Sequence, residues 1–375
     1  MKSNYDILGN HIRLVDTRNK DNITDRVLGI NIDKYFMSSV ANVIGTDLSK
    51  YKLITKGKFA CNPMHVGRDE RLPVALYNEE EPAIVSPAYF MFEVIDNTLL
   101  NEEYLMMWLR RSEFDRVCWL YTDGSVRGGI TWDAICRLEV PVPPMEEQLE
   151  IVNSYKAITD RIALKQKIND NLVDITDTIF FKMFLESIPD ATISFTDIVQ
   201  LMGGGTPKTD EDSFWNGDIL FFTPKDVSCS PFCISTEKRL TVAGLNNCSS
   251  RLYPPFTTFV TCRGTVGNLS MAGVSMAMNQ SCYALKGKAD YPPLFIYSFT
   301  RYVIATMKKK ASGAVFSALV TRDFEMEKVF EPNIDDAILF HKRVEPLFAQ
   351  ILANTNEIQQ LNELQNALLT QLSSR

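Results

Sequence analysis

The chain lacks the long apolar run and the apolar leader of membrane and secreted proteins. No stretch of its 375 residues is apolar enough to span a bilayer, and the first residues mix Lys2, Asp6, His11 and Arg13 with single apolar side chains. We therefore expect a cytoplasmic protein with no membrane partner. Its eight cysteines are then expected to be reduced thiols rather than a disulfide framework.

Histidine is scarce, which argues against a structural metal. Cys229 and Cys233 form a pair that a zinc site could use, but no second close cysteine pair follows. The three histidines, His11, His65 and His341, lie far from that pair in sequence. We expect no metal ion in this chain.

Signatures of catalysis are missing as well. No acidic residue stands two positions before a lysine, as a restriction-type nuclease centre requires. Gly203 to Thr209 reads GGGTPKT and lacks the Gly-Lys-Ser/Thr ending of a phosphate-binding loop. Asn62 to His65 reads NPMH and departs from the Asn-Pro-Pro-aromatic motif with which amino-methyltransferases hold a flipped base. The sequence predicts recognition without a catalytic residue.

An excess of positive charge is also absent. The net charge is −7; residues 1–145 carry 17 basic and 20 acidic side chains, and residues 188–335 carry 14 of each. A chain that binds DNA alone is usually basic. If this one binds DNA, it must use local clusters of Lys and Arg, and partner subunits are expected to supply much of the phosphate-binding charge.

What the chain does have is an internal repeat. Its two halves match at one constant offset of 189 residues. The matching pairs include Leu105/Leu294, Gly124/Gly313, Val126/Val315, Ile130/Leu319, Pro143/Pro332, Ile162/Ile351, Leu172/Leu361 and Ile179/Leu368. We call this the repeat offset. Each copy begins with short strand-like runs and ends with a helical pattern. We therefore predict an α+β protein with two globular α/β heads, at 1–145 and 188–335, and two helical arms, at 146–187 and 336–375.

The arms carry apolar residues at helical spacing. Arm 1 has no glycine or proline, and its apolar positions include Ile151, Ile158, Ile162, Leu172, Ile175, Ile179 and Met183. Arm 2 shows heptads, with one seam position at Leu347, Leu361 and Leu368 and the other at Ile351, Ile358 and Leu372. Asn354 and Gln365 interrupt this seam and are expected to fix its register. The alternative is two ordinary amphipathic helices packed within separate domains.

Proline marks where the arms begin. Pro143 and Pro144 precede arm 1 and Pro332 precedes arm 2, each followed by an acidic pair that suits the positive end of a helix dipole. Pro346 lies further along arm 2, so the sequence allows a kink or a later start there.

Several polar, glycine-rich passages of the heads suit DNA, because cations meet phosphate and Arg, Lys and Asn read base edges. The candidate residues are Asn62, His65 and Arg68 in NPMHVGRDE, Ser125 and Arg127 in GSVRGG, Lys208 in GGGTPKT, Lys225 in FFTPKDV, Arg263, Thr265 and Asn268 in RGTVGN, and Lys309 in KKKASGAV. A solvated turn is the competing interpretation for each. For Gly204 to Pro207 and for Trp215, we expect a structural role rather than base contact.

Passages along the whole chain resemble the specificity subunits of type I restriction-modification systems. The passages are GGGTPKTDEDSFWNGDILFFTPKDV (203–227), RGTVGN (263–268), VPVPPMEEQLEIV (140–152), FACNPMHVGR in head 1, GSVRGGITWDAICRLEVPVPP after it, and the C-terminal NEIQQLNELQNALLTQL. Head 1 lacks the Gly-Gly-Thr-Pro and Trp-x-Gly-Asp-Ile patterns of head 2, so the two heads are expected to read unrelated sequences. Arm 2 keeps only Pro332 and the pair Asp335/Asp336 of the PPMEEQ signature.

The resemblance implies two target-recognition domains that each read one half of a bipartite double-stranded DNA site. It implies an antiparallel coiled-coil pair of helices that sets the spacer and docks two methylation subunits around a pseudo-two-fold axis, with restriction subunits joining them. The helix positions expected to serve partner binding are Ile151, Ile158, Leu172, Ile351, Leu361 and Leu368. S-adenosylmethionine, ATP and magnesium are implied for the partner subunits, and no cofactor for this chain.

Three alternatives stay open from the sequence. One is the specificity subunit of a system that only methylates, or whose nuclease is fused to the methylase. Another is a stand-alone DNA methyltransferase. The third is a coiled-coil scaffold with no DNA role.

Overall fold

The computed structural model describes residues 5–39, 45–64, 66–122, 128–186, 190–310 and 318–371. The chain divides into two compact units, unit 1 with Met1–Asp160 and Asn362–Arg375, and unit 2 with Arg161–Leu361. Each unit holds one head and a part of each arm. The sequence-based division into heads and separate arms stays a prediction. In the described part of the chain no helix is long and apolar enough to cross a membrane.

Unit 1 is built from short strands followed by helices. Its strands are β1 (Tyr5–Ile7), β2 (Ile12–Leu14), β3 (Val27–Ile30), β4 (Phe36–Ser38), β5 (Lys52–Ile54), β6 (Lys58–Cys61), β7 (Val74–Leu76), β8 (Ala83–Val85), β9 (Phe90–Val94) and β10 (Glu139–Pro141). Its helices are α1 (Val66–Asp69), α2 (Glu102–Leu109), α3 (Ser112–Leu120), α4 (Trp132–Cys136) and the first part of α5 (Met145–Phe180). Short 3-10 turns lie at Leu8–Asn10 and Leu48–Lys50.

Two four-stranded sheets and a two-stranded ribbon form head 1. The strand orders are β2-β9-β6-β7, β4-β3-β8-β5 and β1-β10, and β3/β8 is the parallel pair among them. The core between sheet and helices includes Phe59 and Phe92, whose rings stack 4.9 Å apart. A buried ion pair lies beside it, with Lys34 Nζ 2.7 Å from Asp115 Oδ1, which also accepts from the Leu72 amide. Because both charges are buried, each depends on the other.

Unit 2 also has short strands followed by helices. Its strands are β11 (Ile193–Ser194), β12 (Val199–Gly203), β13 (Trp215–Phe222), β14 (Phe232–Cys233), β15 (Lys238–Leu240), β16 (Thr258–Thr261), β17 (Leu269–Ala272), β18 (Met276–Met278), β19 (Cys282–Gly287) and β20 (Lys328–Val329). Its helices are the rest of α5, a π-helical turn at Phe181–Leu185, α6 (Phe195–Ile198), α7 (Val242–Asn246), α8 (Pro293–Lys310), α9 (Thr321–Met326) and most of α10 (Ile334–Gln371). Short 3-10 turns lie at Asp212–Phe214 and Pro224–Asp226.

The sheets of head 2 pack against the helices through aromatic side chains. The strand orders are β12-β19-β16-β17-β14, β15-β13-β18 and β11-β20. Phe180 of α5 lies with its ring 5.5 Å from Phe340 of α10 and 6.1 Å from Phe295 of α8. Each fully buried aromatic side chain contributes about 1.5–3 kcal/mol relative to an exposed one. This cluster therefore joins three helices of unit 2.

The sequence repeat is also a repeat of elements. At the repeat offset, α4 corresponds to α9, β10 to β20 and the start of α5 at Met145 to the start of α10 at Ile334. The ribbon β1-β10 of unit 1 has its counterpart in the antiparallel ribbon β11-β20 of unit 2. The predicted α+β architecture with two similar heads and two long helices is confirmed.

The two arms begin at corresponding residues, but a different side chain donates a hydrogen bond to the carbonyl before each arm. Gln148, fully buried, donates from Nε2 to the Pro143 carbonyl at 2.7 Å and to the Leu99 carbonyl at 2.8 Å. Position 148 corresponds to Ala337 in arm 2, and there the Tyr291 hydroxyl donates to the Pro332 carbonyl at 2.6 Å. The incomplete signature of arm 2 is thus replaced by a donor from outside the helix.

Within each unit the two long helices run antiparallel. In unit 2, Asn354 Nδ2 donates to Asn169 Oδ1 at 2.8 Å, while Lys165 Nζ lies 3.0 Å from Asn354 Oδ1 and 2.9 Å from Glu357 Oε2. In unit 1, Gln365 Nε2 donates to Thr159 Oγ1 at 2.8 Å. Both polar interruptions predicted in the seam therefore contact the opposite helix.

The structure corrects three details of the arms. The helix α10 runs without a break through Pro346, so the later start allowed by the sequence is wrong. In arm 1 the buried stripe passes through Asn169 and Thr176, and Ile175 is exposed. At the head end of arm 2, Phe348 is buried where the heptad places Leu347. Leu372, the last predicted seam residue, lies outside the described residues.

We expect Asn354→Leu to destabilise the chain by about 1–3 kcal/mol, because Asn169 keeps a buried amide that has lost its partner. The double variant Asn169→Leu, Asn354→Leu should recover most of that loss, since apolar side chains replace both amides. Urea unfolding of the full chain measures both. Asn356→Leu, on an exposed position of the same helix, is the matched control and should change stability by less than about 0.5 kcal/mol. Equal stability of the Asn354 and Asn356 variants would contradict the assignment.

Candidate nucleic-acid interface

Head 1 brings two of the candidate passages together. The Ile130 amide donates to the Pro63 carbonyl at 3.1 Å, and the Gly67 amide donates to the Gly128 carbonyl at 2.9 Å. The segment that contains Asn62 and Arg68 is therefore tied to the end of the GSVRGG passage. Ser125 and Arg127 of that passage, and His65, lie outside the described residues.

Head 2 makes a similar connection from the matching donor residue. The amide of Leu319, which corresponds to Ile130 at the repeat offset, donates to the Cys262 carbonyl at 2.9 Å, next to the RGTVGN passage. Lys308 adds a second link, because its Nζ donates to the Gly267 carbonyl at 3.2 Å. In each head a glycine-containing turn thus lies beside the end of a second passage, and we call this arrangement the loop pair of that head.

The RGTVGN turn of head 2 is held by one buried hydroxyl. The turn connects β16 to β17, and Thr261 Oγ1 donates to the Thr265 carbonyl and accepts from the Asn268 amide at 3.0 Å. Gly264 and Gly267 have φ of +79° and +76°, which favour glycine. The side chains of Arg263 and Thr265 are exposed at the tip, whereas Asn268 is half-buried. A fixed backbone with exposed polar side chains suits recognition of a base edge.

The described candidates of head 1 are engaged in local contacts. Asn62 Oδ1 accepts from the Met64 amide at 3.1 Å, which is a turn-forming contact. The Arg68 guanidinium forms two hydrogen bonds to Asp69, of 2.6 and 2.9 Å, and this carboxylate raises the pKa of Arg68. The positive charge of Arg68 is therefore offset within its own turn.

The GGGTPKT passage has a structural role at its glycines. A side chain at Gly204 would collide with the Asn279 carbonyl, and one at Gly205 with Ser249. Trp215 donates from Nε1 to the Lys208 carbonyl at 3.0 Å and packs edge-on against Phe221. This agrees with the structural interpretation of these residues.

The remaining lysine candidates are exposed. The side chains of Lys208 and Lys309 face solvent, and Lys309 lies in the last turn of α8 beside the loop pair of head 2. Lys225 is exposed as well, with Nζ 3.9 Å from Glu237 Oε2. Their exposure is compatible with phosphate contact but does not by itself indicate it.

The two cysteines of the pair lie in different environments. Cys229 is exposed, while Cys233 is buried and donates to the Ser235 carbonyl at 3.1 Å. Burial raises the pKa of the Cys233 thiol to about 12, which disfavours the thiolate that binds zinc. Among the described residues no group of three or more His, Cys, Asp or Glu side chains is arranged to hold a metal ion.

The helix positions expected to serve partners mostly face inward. Ile351 is fully buried in the core of unit 2, and half-buried positions are Ile151, Ile158, Leu172, Leu361 and Leu368. Leu172 packs against the core of unit 2 and Ile151 against the core of unit 1. In this chain these residues contribute to its own packing.

Two exposed apolar residues on the arms were not singled out from the sequence as a partner surface. Ile175 of α5 is 47% exposed, and its counterpart at the repeat offset, Leu364 of α10, is 50% exposed. The sequence signal that identifies them is the repeat itself, because it pairs an apolar residue on each arm at one helical position. Isolated exposed apolar residues are common, but a matched pair fits two copies of one partner.

The comparisons with known proteins agree with this architecture. Residues 191–363 match the family model described as the type I restriction modification DNA specificity domain. The type I restriction enzyme HindI specificity subunit of Haemophilus influenzae is 22% identical, over 97% of this chain and 97% of its own length. The type I restriction enzyme MjaIX specificity subunit of Methanocaldococcus jannaschii is 28% identical, over 33% of this chain and 29% of its own length.

A solved structure shares the fold. The S subunit of a type I restriction-modification system from M. genitalium has a TM-score of 0.58 at 15% identity, covering 98% of this chain and 95% of that one. The fold, the matching domain and the full-length relative lead to one conclusion. The chain is similar along its whole length to a type I restriction enzyme specificity subunit, and residues 191–363 match the DNA specificity domain of that class.

Proposed function

We propose that this chain is the DNA specificity subunit of a type I restriction-modification system, in which each head reads one half of a bipartite double-stranded site. The observation that carries the proposal is the loop pair, which recurs with its donor amide at the matching residue, Ile130 or Leu319, in two heads whose sequences differ there. One scaffold with two different recognition surfaces is what a two-part target needs. The chain contributes recognition, and the chemistry belongs to its partners.

In head 2, Arg263 and Thr265 are the proposed base-reading residues. They stand on a turn fixed by Thr261, and an Arg held in this way can donate two hydrogen bonds to a guanine edge. Lys309 and Lys208 contact phosphate in this proposal. In head 1, Asn62 and Arg68 hold the turn, and His65, Ser125 and Arg127 are proposed to reach the DNA.

Two methylation subunits are the proposed partners of the arms, one on Ile175 and one on Leu364. They carry S-adenosylmethionine, and restriction subunits that join them use ATP and magnesium. Because the chain itself has a net charge of −7, these partners also supply much of the positive charge that DNA binding requires.

The test of the proposed function is the pattern of methylated bases in cells with and without this chain. We expect modification at a bipartite site that disappears when the chain is deleted, and no methyl incorporation by the purified chain with S-adenosylmethionine and genomic DNA. Arg263→Ala should relax one half-site and leave the other unchanged, because a bidentate base contact contributes about 1–3 kcal/mol of discrimination. Methyl incorporation by the chain alone would identify a stand-alone methyltransferase, and an unchanged methylome would favour the scaffold alternative.

A second prediction concerns the helices as the element that sets the spacer. Inserting one heptad into both arms, between Thr159 and Arg161 and between Ile358 and Gln365, should lengthen the spacer between the half-sites and leave their letters unchanged, because both insertions lie between the Thr159–Gln365 and Arg161–Glu357 contacts. A heptad keeps each seam facing its partner helix. Methylome sequencing reads both quantities. Altered letters with an unchanged spacer would show that the arms do not set the spacer.

A third prediction concerns the two exposed arm residues. Ile175→Asp and Leu364→Asp should each remove one methylation subunit from the assembly, and the double variant should remove both, because each charge opposes burial of an apolar contact. The mass of the purified complex measures this. Asp170→Lys, on an exposed position of the same helix, is a control for charge change alone. Full assembly of the double variant would place the partner surface elsewhere.

A further inference from the structure

The helix that leads into the loop pair ends differently in the two heads. In head 1, α3 ends in Trp119 and Leu120, which are 41% and 73% exposed. The corresponding positions at the repeat offset, Lys308 and Lys309, form the end of α8 and are exposed too. One helix end is apolar and its counterpart is cationic.

The repeat offset places the end of α3 and the end of α8 at equivalent positions. Lys310 of head 2 pairs with Glu327, with Nζ 2.6 Å from Oε1. The matching residues of head 1, Tyr121 and Leu138, line one cavity of about 350 Å³. Tyr121 is itself 52% exposed, so the end of this segment presents apolar surface to solvent. Trp119 and Leu120 are left facing solvent in head 1, at the positions of Lys308 and Lys309.

The repeat indicates what covers this apolar end. A surface that docks two copies of one partner has to be alike in both heads, as Ile175 and Leu364 are on the arms. A surface that meets two different half-sites is free to differ. Trp and Leu opposite Lys and Lys is a change of chemical class, so this position belongs with the surface that differs between the heads. It also adjoins the loop pair, since α3 contacts α1, the helix that contains Arg68, and Lys308 contacts Gly267.

The charges of head 1 favour the same occupant. Arg68 is neutralised by Asp69, so the described part of its loop pair offers little free positive charge. Head 2 has Arg263 and Lys309 exposed on its side. Where the described residues offer few free cations, aromatic or aliphatic side chains add affinity by stacking, by wedging at a base step or by packing on thymine methyl groups.

We propose that Trp119 and Leu120 form an apolar DNA contact of head 1, against bases or thymine methyl groups, where head 2 uses Lys308 and Lys309 on phosphate. The proposal rests on the proposed function. The contact of Trp119 and Leu120 then adds affinity without dependence on salt, whereas the lysines at the matching positions add salt dependence to head 2.

The experiment uses the full chain in complex with its methylation subunits and a duplex that carries the bipartite site read from the wild-type methylome. Trp119→Ala with Leu120→Ala should weaken binding by about 10-fold to 100-fold, and the slope of log affinity against log salt should stay unchanged. Lys309→Gln should reduce that slope by about 0.9. Two further duplexes, each with one half-site scrambled, should show that the apolar variant has lost its preference for one half-site only.

Controls separate the proposal from its rivals. Leu99→Ser, on another exposed apolar residue of head 1, should leave affinity unchanged. Leu120→Ser alone, at a side chain that is mostly exposed, tests the contact without risk to folding. Unchanged affinity of both Leu120 variants, a fall in salt slope, or loss of a methylation subunit from the complex would each overturn the proposal. Failure of the wild-type complex to bind the duplex would instead overturn the proposed function.

Discussion

A buried hydrogen bond between two amides, Asn354 to Asn169, is the contact that most constrains the helical part of unit 2. Both side chains are almost inaccessible, and Lys165 and Gln350 donate to the same Asn354 oxygen. A shift of one helix by one residue would separate the amides and bury them without partners, at about 1–3 kcal/mol for each group. Apolar seams tolerate sliding better than such a pair does. The register fixed here also positions Phe180 and Phe340, and through Phe295 the helix α8 of head 2.

The two heads share backbone geometry at matching positions, but different side chains maintain that geometry in each head. The carbonyl before each arm is satisfied by Gln148 in one copy and by Tyr291 in the other. The Lys310–Glu327 salt bridge of unit 2 is replaced in unit 1 by two apolar residues, Tyr121 and Leu138, that line one cavity. Because a buried carbonyl needs a donor of any kind, selection acts on the hydrogen bond and not on the residue. This freedom explains how two heads of one origin can present different surfaces on the same frame.

The sequence predicts the frame better than the surface, for physical reasons. The constant repeat offset and the absence of glycine and proline from arm 1 locate the helices and strands, because both features can be read from the order of residues alone. The seam is less predictable over 36 residues of α5, because a helix of 3.6 residues per turn drifts against a heptad, and Thr176 replaces Ile175 on the buried side. Contacts between residues far apart in the chain cannot be predicted from a single sequence. Ile130 bound to Pro63, and Leu319 bound to Cys262, define the loop pairs, and neither bond has a sequence signature. The pairing of Arg68 with the adjacent Asp69 likewise depends on side-chain geometry.

Surface residues related by the repeat offset fall into two groups, those that are chemically alike in both copies and those that differ. The two groups are suited to different binding partners. A partner that binds twice meets each repeated position in an equivalent environment, so an identical partner favours agreement and a pair of unrelated half-sites favours difference. Charge adds a second criterion. With a net charge of −7 and Arg68 neutralised, the described part of the chain has few free cations beside its loop pairs, and Arg263 and Lys309 lie in head 2. Phosphate contacts supply affinity and base contacts supply selectivity. In the proposed function, a chain so poor in the first and so differentiated in the second contributes specificity, and its partners bring the charge.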